Sequence, residues 1–116
     1  MSWMETRLIN LAARAMDLAA LRHTLVSSNL ANVDTPGYRT RDVDFEGELR
    51  RATEGLGVGE PRVQQVRGLV ERPDGNNVSL DREGLSLADT QLRYRLSAQL
   101  LRVEFRRLLA AINEGR

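Results

Sequence analysis

Ser27-Ser28-Asn29-Leu30-Ala31-Asn32-Val33-Asp34-Thr35-Pro36-Gly37-Tyr38 decides how this chain folds, because it reads as the end of a long helix followed at once by a sharp corner. Pro36 presets its own φ and Gly37 tolerates positive φ, the combination wanted at the two central positions of a type II turn. Pro36 also pushes Thr35 out of the helical region. Upstream, neither Gly nor Pro interrupts the chain, and Ser2 with Glu5 has the spacing of a capping box. Ile9, Ala12, Met16, Ala19, His23, Val26, Leu30 and Val33 recur at alternating steps of three and four. Leu8, Leu11, Ala15, Leu18 and Leu25 widen that apolar face, and Arg7, Arg14 and Asp17 fall outside it. The pattern predicts a helix from residue 2 to about 33.

Beyond the corner, residues 39–77 are polar and Gly-rich, with short β-like runs at Arg62-Val63-Gln64-Gln65-Val66 and Gly68-Leu69-Val70. Pro73-Asp74-Gly75-Asn76-Asn77 is a strong turn signal. A long loop with room for a small hairpin is expected, which suits a subunit whose partners cover it. Ser79 is placed to cap a second helix, with Asp81 and Glu83 in the turn where the helix dipole favours negative charge. Gly84 costs that helix about 1 kcal/mol against Ala, so the regular helix is expected from near Ser86. From there Leu87, Gln91, Tyr94, Ala98, Leu101, Phe105, Leu108 and Ile112 keep an unbroken heptad spacing, widened by Leu85, Ala88, Leu92, Leu96, Leu100 and Val103.

The expectation is an all-α fold in a single domain. Two long terminal amphipathic helices, residues 1–33 and 79–116, pack as a coiled-coil-like pair, joined by the corner and long polar loop of residues 34–78. The predicted seam comprises Ile9, Met16, Val26 and Leu30 on the first helix, and Leu87, Tyr94, Leu101, Phe105 and Leu108 on the second. Apolar stripes this wide on both helices also suit packing against neighbours.

The 116 residues leave room for one domain, and five aromatics (Trp3, Tyr38, Phe45, Tyr94 and Phe105) make only a modest core. Seventeen basic residues, all Arg, balance 16 acidic ones. The Arg residues alternate with acids, and Arg102, Arg106 and Arg107 flank an apolar helix, so no nucleic-acid surface is expected. Without Cys there is no disulfide, thiolate metal site or cysteine nucleophile. No apolar run reaches the ~18–20 residues that span a bilayer, and Met-Ser-Trp-Met-Glu-Thr-Arg does not resemble a secretory signal.

Chemistry finds little equipment. His23 is the lone histidine and lies on the apolar stripe, where a satisfied or partly exposed core histidine is expected rather than a ligand. Asp42-Val43-Asp44-Phe45-Glu46-Gly47 imitates the start of an EF-hand loop, but the twelfth position falls on Thr53 where a bidentate Glu is needed. A solvated acidic stretch pairing with Arg39 and Arg41 is expected instead. Gly55-Leu56-Gly57-Val58-Gly59 follows no apolar strand and lacks the closing GK[ST] of a phosphate loop. No catalytic residue, cofactor or metal is assigned, and the chain is not expected to be an enzyme.

The corner carries the strongest signal. Asn29, Ala31, Asn32, Thr35, Pro36, Gly37 and Tyr38 match each core position of a SxNxAN-x-x-TPGY pattern, and the stretch resembles the signature of the flagellar rod and hook axial proteins. Arg39 to Phe45, Asp74 to Glu83, and Leu92-Arg93-Tyr94 with Gln99 to Phe105 resemble the FlgB-type, proximal-rod branch of that family. Gly84-Leu85-Ser86 departs from it, where better helix formers are usual. The resemblance implies a structural subunit of the proximal rod that assembles through its terminal helices and transmits torque from the basal ring towards the hook. It implies other rod and basal-body proteins and copies of the chain itself as partners, with the corner residues meeting a neighbouring subunit. It also implies a place in the periplasmic rod, reached through the flagellar type III export apparatus without a cleaved signal and without membrane insertion. Phe45 and Leu49 have the spacing of a short export element. The rival reading from pattern alone is a soluble helical adaptor, or chaperone-like protein, that binds a partner helix.

Overall fold

The computed structural model describes residues 2–55 and 59–115, so the centre of the Gly55–Gly59 stretch lies outside the described residues. The elements run α1 (Trp3–Ala31), β1 (Arg41–Val43), α2 (Phe45–Thr53), β2 (Val63–Gln65) and α3 (Leu80–Glu114). The molecule is a rod-like body of 68 × 25 × 16 Å.

Helix α1 starts as its sequence dictates. The Ser2 hydroxyl accepts from the Glu5 N–H and the Glu5 carboxylate accepts from the Ser2 N–H, completing the capping box. The helix stops at Ala31, two residues before the expected end, and Asn32 caps it. The turn then forms with Gly37 at φ +76° and the Tyr38 N–H donating to the Thr35 carbonyl at 3.2 Å, the closing bond of a type II turn.

Helices α1 and α3 pack antiparallel. Asn29 near the end of α1 meets Glu83 near the start of α3, and Arg22 further back on α1 reaches Asp89 further along α3. Between the strands, Arg41 pairs with Gln65, Asp42 with Gln64 and Val43 with Val63, all antiparallel. The run at residues 68–70 forms no strand; Gly68 has φ +82° and Val70 is exposed.

One expectation is corrected. The long loop is interrupted by α2, which the sequence reading left out. Asp44, read there as part of a solvated acidic stretch, caps this helix by accepting from the Gly47 N–H at 3.1 Å. Glu46 and Glu48 occupy its first turn and Arg50 and Arg51 its last, each charge matched to the helix dipole. A nine-residue helix offers only Phe45 and Leu49 as an i,i+4 pair, too little periodicity to stand out. Helix α3 begins at Leu80, directly after the Ser79 expected to cap it, and is regular from there rather than only from near Ser86. Ser79 caps it through the Arg82 N–H at 3.2 Å, and long-range bonds from Asn29 to Glu83 and from Arg82 to Asp42 hold the first turn despite Gly84.

The core is small and lies along the middle of α1. Ala15, Leu18, Ala19 and Leu25 pack with Val43 of β1 and Phe45 of α2, with Leu21 and Leu49 at the edge. Burying Phe45 contributes roughly 2–3 kcal/mol. Helix α3 places no apolar residue among the buried ones; its buried residues are Glu83, Thr90 and Glu104.

Candidate functional site

The corner residues form a clamp between the end of α1 and the start of α3. Asn29 is 1% exposed, and its amide is fully used. Nδ2 donates to the Arg41 carbonyl at 2.9 Å and to Glu83 Oε1 at 2.5 Å. Oδ1 accepts from the Tyr38 hydroxyl at 2.9 Å and from the Arg41 N–H at 3.2 Å. An amide offers two donors and two acceptor lone pairs, so nothing on Asn29 remains for another molecule. Asn32 donates to the Ser28 carbonyl and accepts from the Thr35 hydroxyl, tightening the end of the helix.

The second half of the clamp comes from Asp74–Asn77, which the sequence marked as a turn and as part of a family-like run but not as a partner of the corner. Asn76 is fully buried, and its Nδ2 donates to the carbonyls of Asn32 at 2.9 Å and Thr35 at 2.8 Å. It thus supplies donors to carbonyls that a helix end leaves free. Its Oδ1 accepts from the Val78 N–H at 2.8 Å. Asn77 Oδ1 accepts from the Thr40 N–H at 2.7 Å, and the Gly37 N–H donates to the Asp74 carbonyl at 2.9 Å. Gly75, at φ +85°, sits so close to the corner that an added Cβ would lie 3.3 Å from Gly37 Cα. Arg72 spans the junction, donating to the carbonyls of Val33 and Val78. The Asn-Asn dipeptide after Asp74-Gly75 was a legible signal, since buried amides suit backbone satisfaction, but its partners are far away in sequence.

An ion-pair network continues from the clamp. Arg22 grips Asp42 through two bonds of 3.0 Å, and Arg82 reaches Asp42 at 2.6 Å and Glu83 at 2.8 Å. The expected pairing of this acidic stretch with Arg39 and Arg41 is therefore replaced, for Asp42, by Arg22 of α1 and Arg82 of α3. Burial alone would raise the Asp42 pKa, but hydrogen bonds from Arg22, Arg82 and the Val43 N–H outweigh it and hold the carboxyl below the usual value. Burial opposes charge on Arg82 and Arg93 as well, and their carboxylate partners outweigh it, leaving both above the ordinary guanidinium value. Arg93 lies over the Phe45 ring at 4.5 Å and pairs with Glu46 and Asp89, fastening α3 to α2.

Of the other corner residues, Tyr38 is half-buried, while Ala31, Thr35, Pro36 and Gly37 are exposed. Val26 is buried, and Ile9, Met16, Leu30, Leu87, Leu101 and Leu108 are partly buried. Tyr94 and Phe105 of the expected seam stand at 45% and 50% exposure, at the margin of the face that α3 turns to α1. That face carries Glu83, Thr90 and Glu104, all at most 4% exposed. Ser86 Oγ, Thr90 Oγ1 and Glu104 Oε2 are buried there without a hydrogen-bond partner among the described residues. The opposite side presents Leu85, Leu92, Leu96 and Leu100. His23 is exposed rather than part of the core. Among the described residues, no group of acidic or His side chains is arranged to hold a metal ion, and no helix is long and apolar enough to cross a membrane.

Comparison with known proteins places this architecture. The family model described as flagella basal body rod protein matches residues 9–39, the end-of-helix and corner segment. The flagellar basal body rod protein FlgB of Yersinia enterocolitica is 30% identical, over 87% of this chain and 90% of that protein. FlgB of Salmonella typhimurium is likewise 30% identical, over 87% of this chain and 89% of that protein. FlgB of Cereibacter sphaeroides is 35% identical, over 86% of this chain and 89% of that protein. With the corner present and the likeness running through nearly all of both chains, this protein belongs to the FlgB-type family of flagellar basal-body rod proteins.

Proposed function

We propose that the chain is a structural subunit of the proximal part of the bacterial flagellar rod, which carries torque from the basal ring towards the hook and turns over no substrate. It assembles through the exposed faces of its terminal helices, against other rod and basal-body proteins and against copies of itself. Its place is the periplasmic rod, reached through the flagellar type III export apparatus. The observation that carries this reading is α3, whose leucines at 85, 92, 96 and 100 are exposed while its buried residues, Glu83, Thr90 and Glu104, are polar. A continuous apolar stripe on a long helix marks a contact surface. Ala31, Thr35, Pro36 and Gly37, exposed at the corner, are the motif residues available to a neighbour. The buried clamp fixes the angle between corner and helices, so load on α3 passes into α1 through hydrogen bonds rather than through a flexible loop.

The test is genetic. A strain lacking this chain is expected to be non-motile and to build basal bodies without a complete rod. The parent gene restores motility, and a Leu92→Arg/Leu96→Arg variant, altered only at exposed positions, does not, although the purified variant keeps its helix content. A motile deletion strain overturns the rod reading. Full rescue by the double variant overturns the assignment of the contact face.

A further inference from the structure

The two-stranded sheet has one edge sealed and one edge open. Its register, extended by one residue, sets Thr40 opposite Val66, and the Val66 N–H donates to the Thr40 carbonyl at 2.9 Å. Antiparallel strands alternate bonded and non-bonded pairs, so Asp42 and Gln64 form the next bonded pair. Arg41, Val43, Val63 and Gln65 therefore aim their peptide groups away from the ladder. On the β1 side, the Asn29 amide takes up both the N–H and the carbonyl of Arg41. On the β2 side, the N–H and carbonyl of Val63 and of Gln65 have no partner among the described residues, and the whole strand is exposed.

An open edge is a template for another strand, and charges or Pro within it are the usual protection. Val63, Gln64 and Gln65 carry neither. Arg62 and Arg67 flank them, and Arg41 lies opposite Gln65. All three arginines are exposed, and none of their guanidiniums pairs with a carboxylate among the described residues. The acids of the same strands and flanks are engaged elsewhere. Arg22 and Arg82 hold Asp42, Asp44 caps α2, and Glu71 pairs with Arg39. Glu60 alone opposes the three guanidiniums there.

We propose that the outer edge of β2 takes an extended acidic segment of a partner protein as a third strand. The main chain of Val63 and Gln65 supplies donors and acceptors that any strand can use, and Arg41, Arg62 and Arg67 select carboxylates. This surface does not belong to the terminal helices, so the inference stands or falls separately from the rod reading.

The probes are two end-blocked synthetic peptides, Glu-Val-Glu-Val-Glu and Arg-Val-Arg-Val-Arg, titrated into the full chain and followed by its backbone amide shifts. The acidic peptide moves the outward-facing Val63 and Gln65 amides more than the Gln64 amide, which stays in the ladder. It binds at least about tenfold tighter than the basic one. Gln65→Pro removes an outward N–H and leaves the bonds of Gln64 and Val66 to β1 in place, so binding is lost with helix content by circular dichroism unchanged. Arg62→Ala/Arg67→Ala weakens the acidic peptide roughly three- to tenfold and reduces the salt dependence of its binding. Unmoved amides in the parent, equal binding of the two peptides, or undiminished binding to either variant overturns the proposal. If Gln65→Pro loses helix content, the arginine variant and the peptide comparison decide alone. Shifts at the same amides that grow with protein concentration before any peptide is added give the edge to a second copy of this chain, and overturn the acidic partner.

Discussion

Replacing Asn76 tests whether the clamp, rather than the helix pair alone, holds the chain together. Its side chain makes three hydrogen bonds at 2.8–2.9 Å, to the carbonyls of Asn32 and Thr35 and from the Val78 N–H, all at a residue with no exposed surface. Asn76→Ala removes them and leaves buried partners unsatisfied, at about 1 kcal/mol for each bond and thus about 3 kcal/mol in sum. In urea unfolding followed by circular dichroism, that loss moves the midpoint down by about 2 M, at a slope of about 1.5 kcal/mol per molar. Asn76→Asp sharpens the test. It keeps the acceptor for Val78 but turns the former donor into an anionic oxygen facing two carbonyl oxygens. The variant should be less stable than Asn76→Ala at pH 7. Burial and the two carbonyls raise the folded pKa of the new carboxyl above its unfolded value near 3.9. The penalty specific to Asp therefore grows as pH rises through that unfolded value and disappears below it. Measured against the parent at each pH, the gap between the Asp and Ala variants should close by about pH 3. An Asn76→Ala variant within about 0.5 kcal/mol of the parent, or an Asp penalty independent of pH, would refute the clamp as an energetic unit.

Two further outcomes follow from single positions. Gly84 lies inside α3 with nothing within 4 Å of where a Cβ would stand, so Gly84→Ala should stabilise by about 0.4–1 kcal/mol through the unfolded chain, read as a higher Tm; a lower Tm would mean the helix start is strained there. Asp42, whose carboxyl is held below its usual value of 3.8 by Arg22 and Arg82, contributes stability that is fully present above that value and is lost as pH falls through its lower folded value. Asp42→Asn should therefore flatten the acid limb of the stability profile below about pH 4, and an unchanged acid limb would remove this network from the account.

What the sequence could determine is local. Ser2 with Glu5, Ser79 ahead of Asp81, and Pro36-Gly37 specify caps and a turn through atoms within four residues of one another, and φ preferences need no tertiary partner. Those signals located both long helices and the corner, and the corner motif pointed to the family. They could not expose α2, whose Asp44 cap looks like one more acid in an acidic stretch and whose single apolar pair packs on a core built mainly by α1. Nor could they find the clamp, because Asn76 acts on carbonyls 41 and 44 residues away and Asn29 meets Glu83 across 54. The polar groups buried on α3 were equally hidden. Heptad spacing marks an apolar face, but not which of its positions meet a polar partner on the other helix. On α3 that was decided by tertiary structure, which turned Glu83 inward to Asn29 and left Leu85, Leu92 and Leu96 exposed.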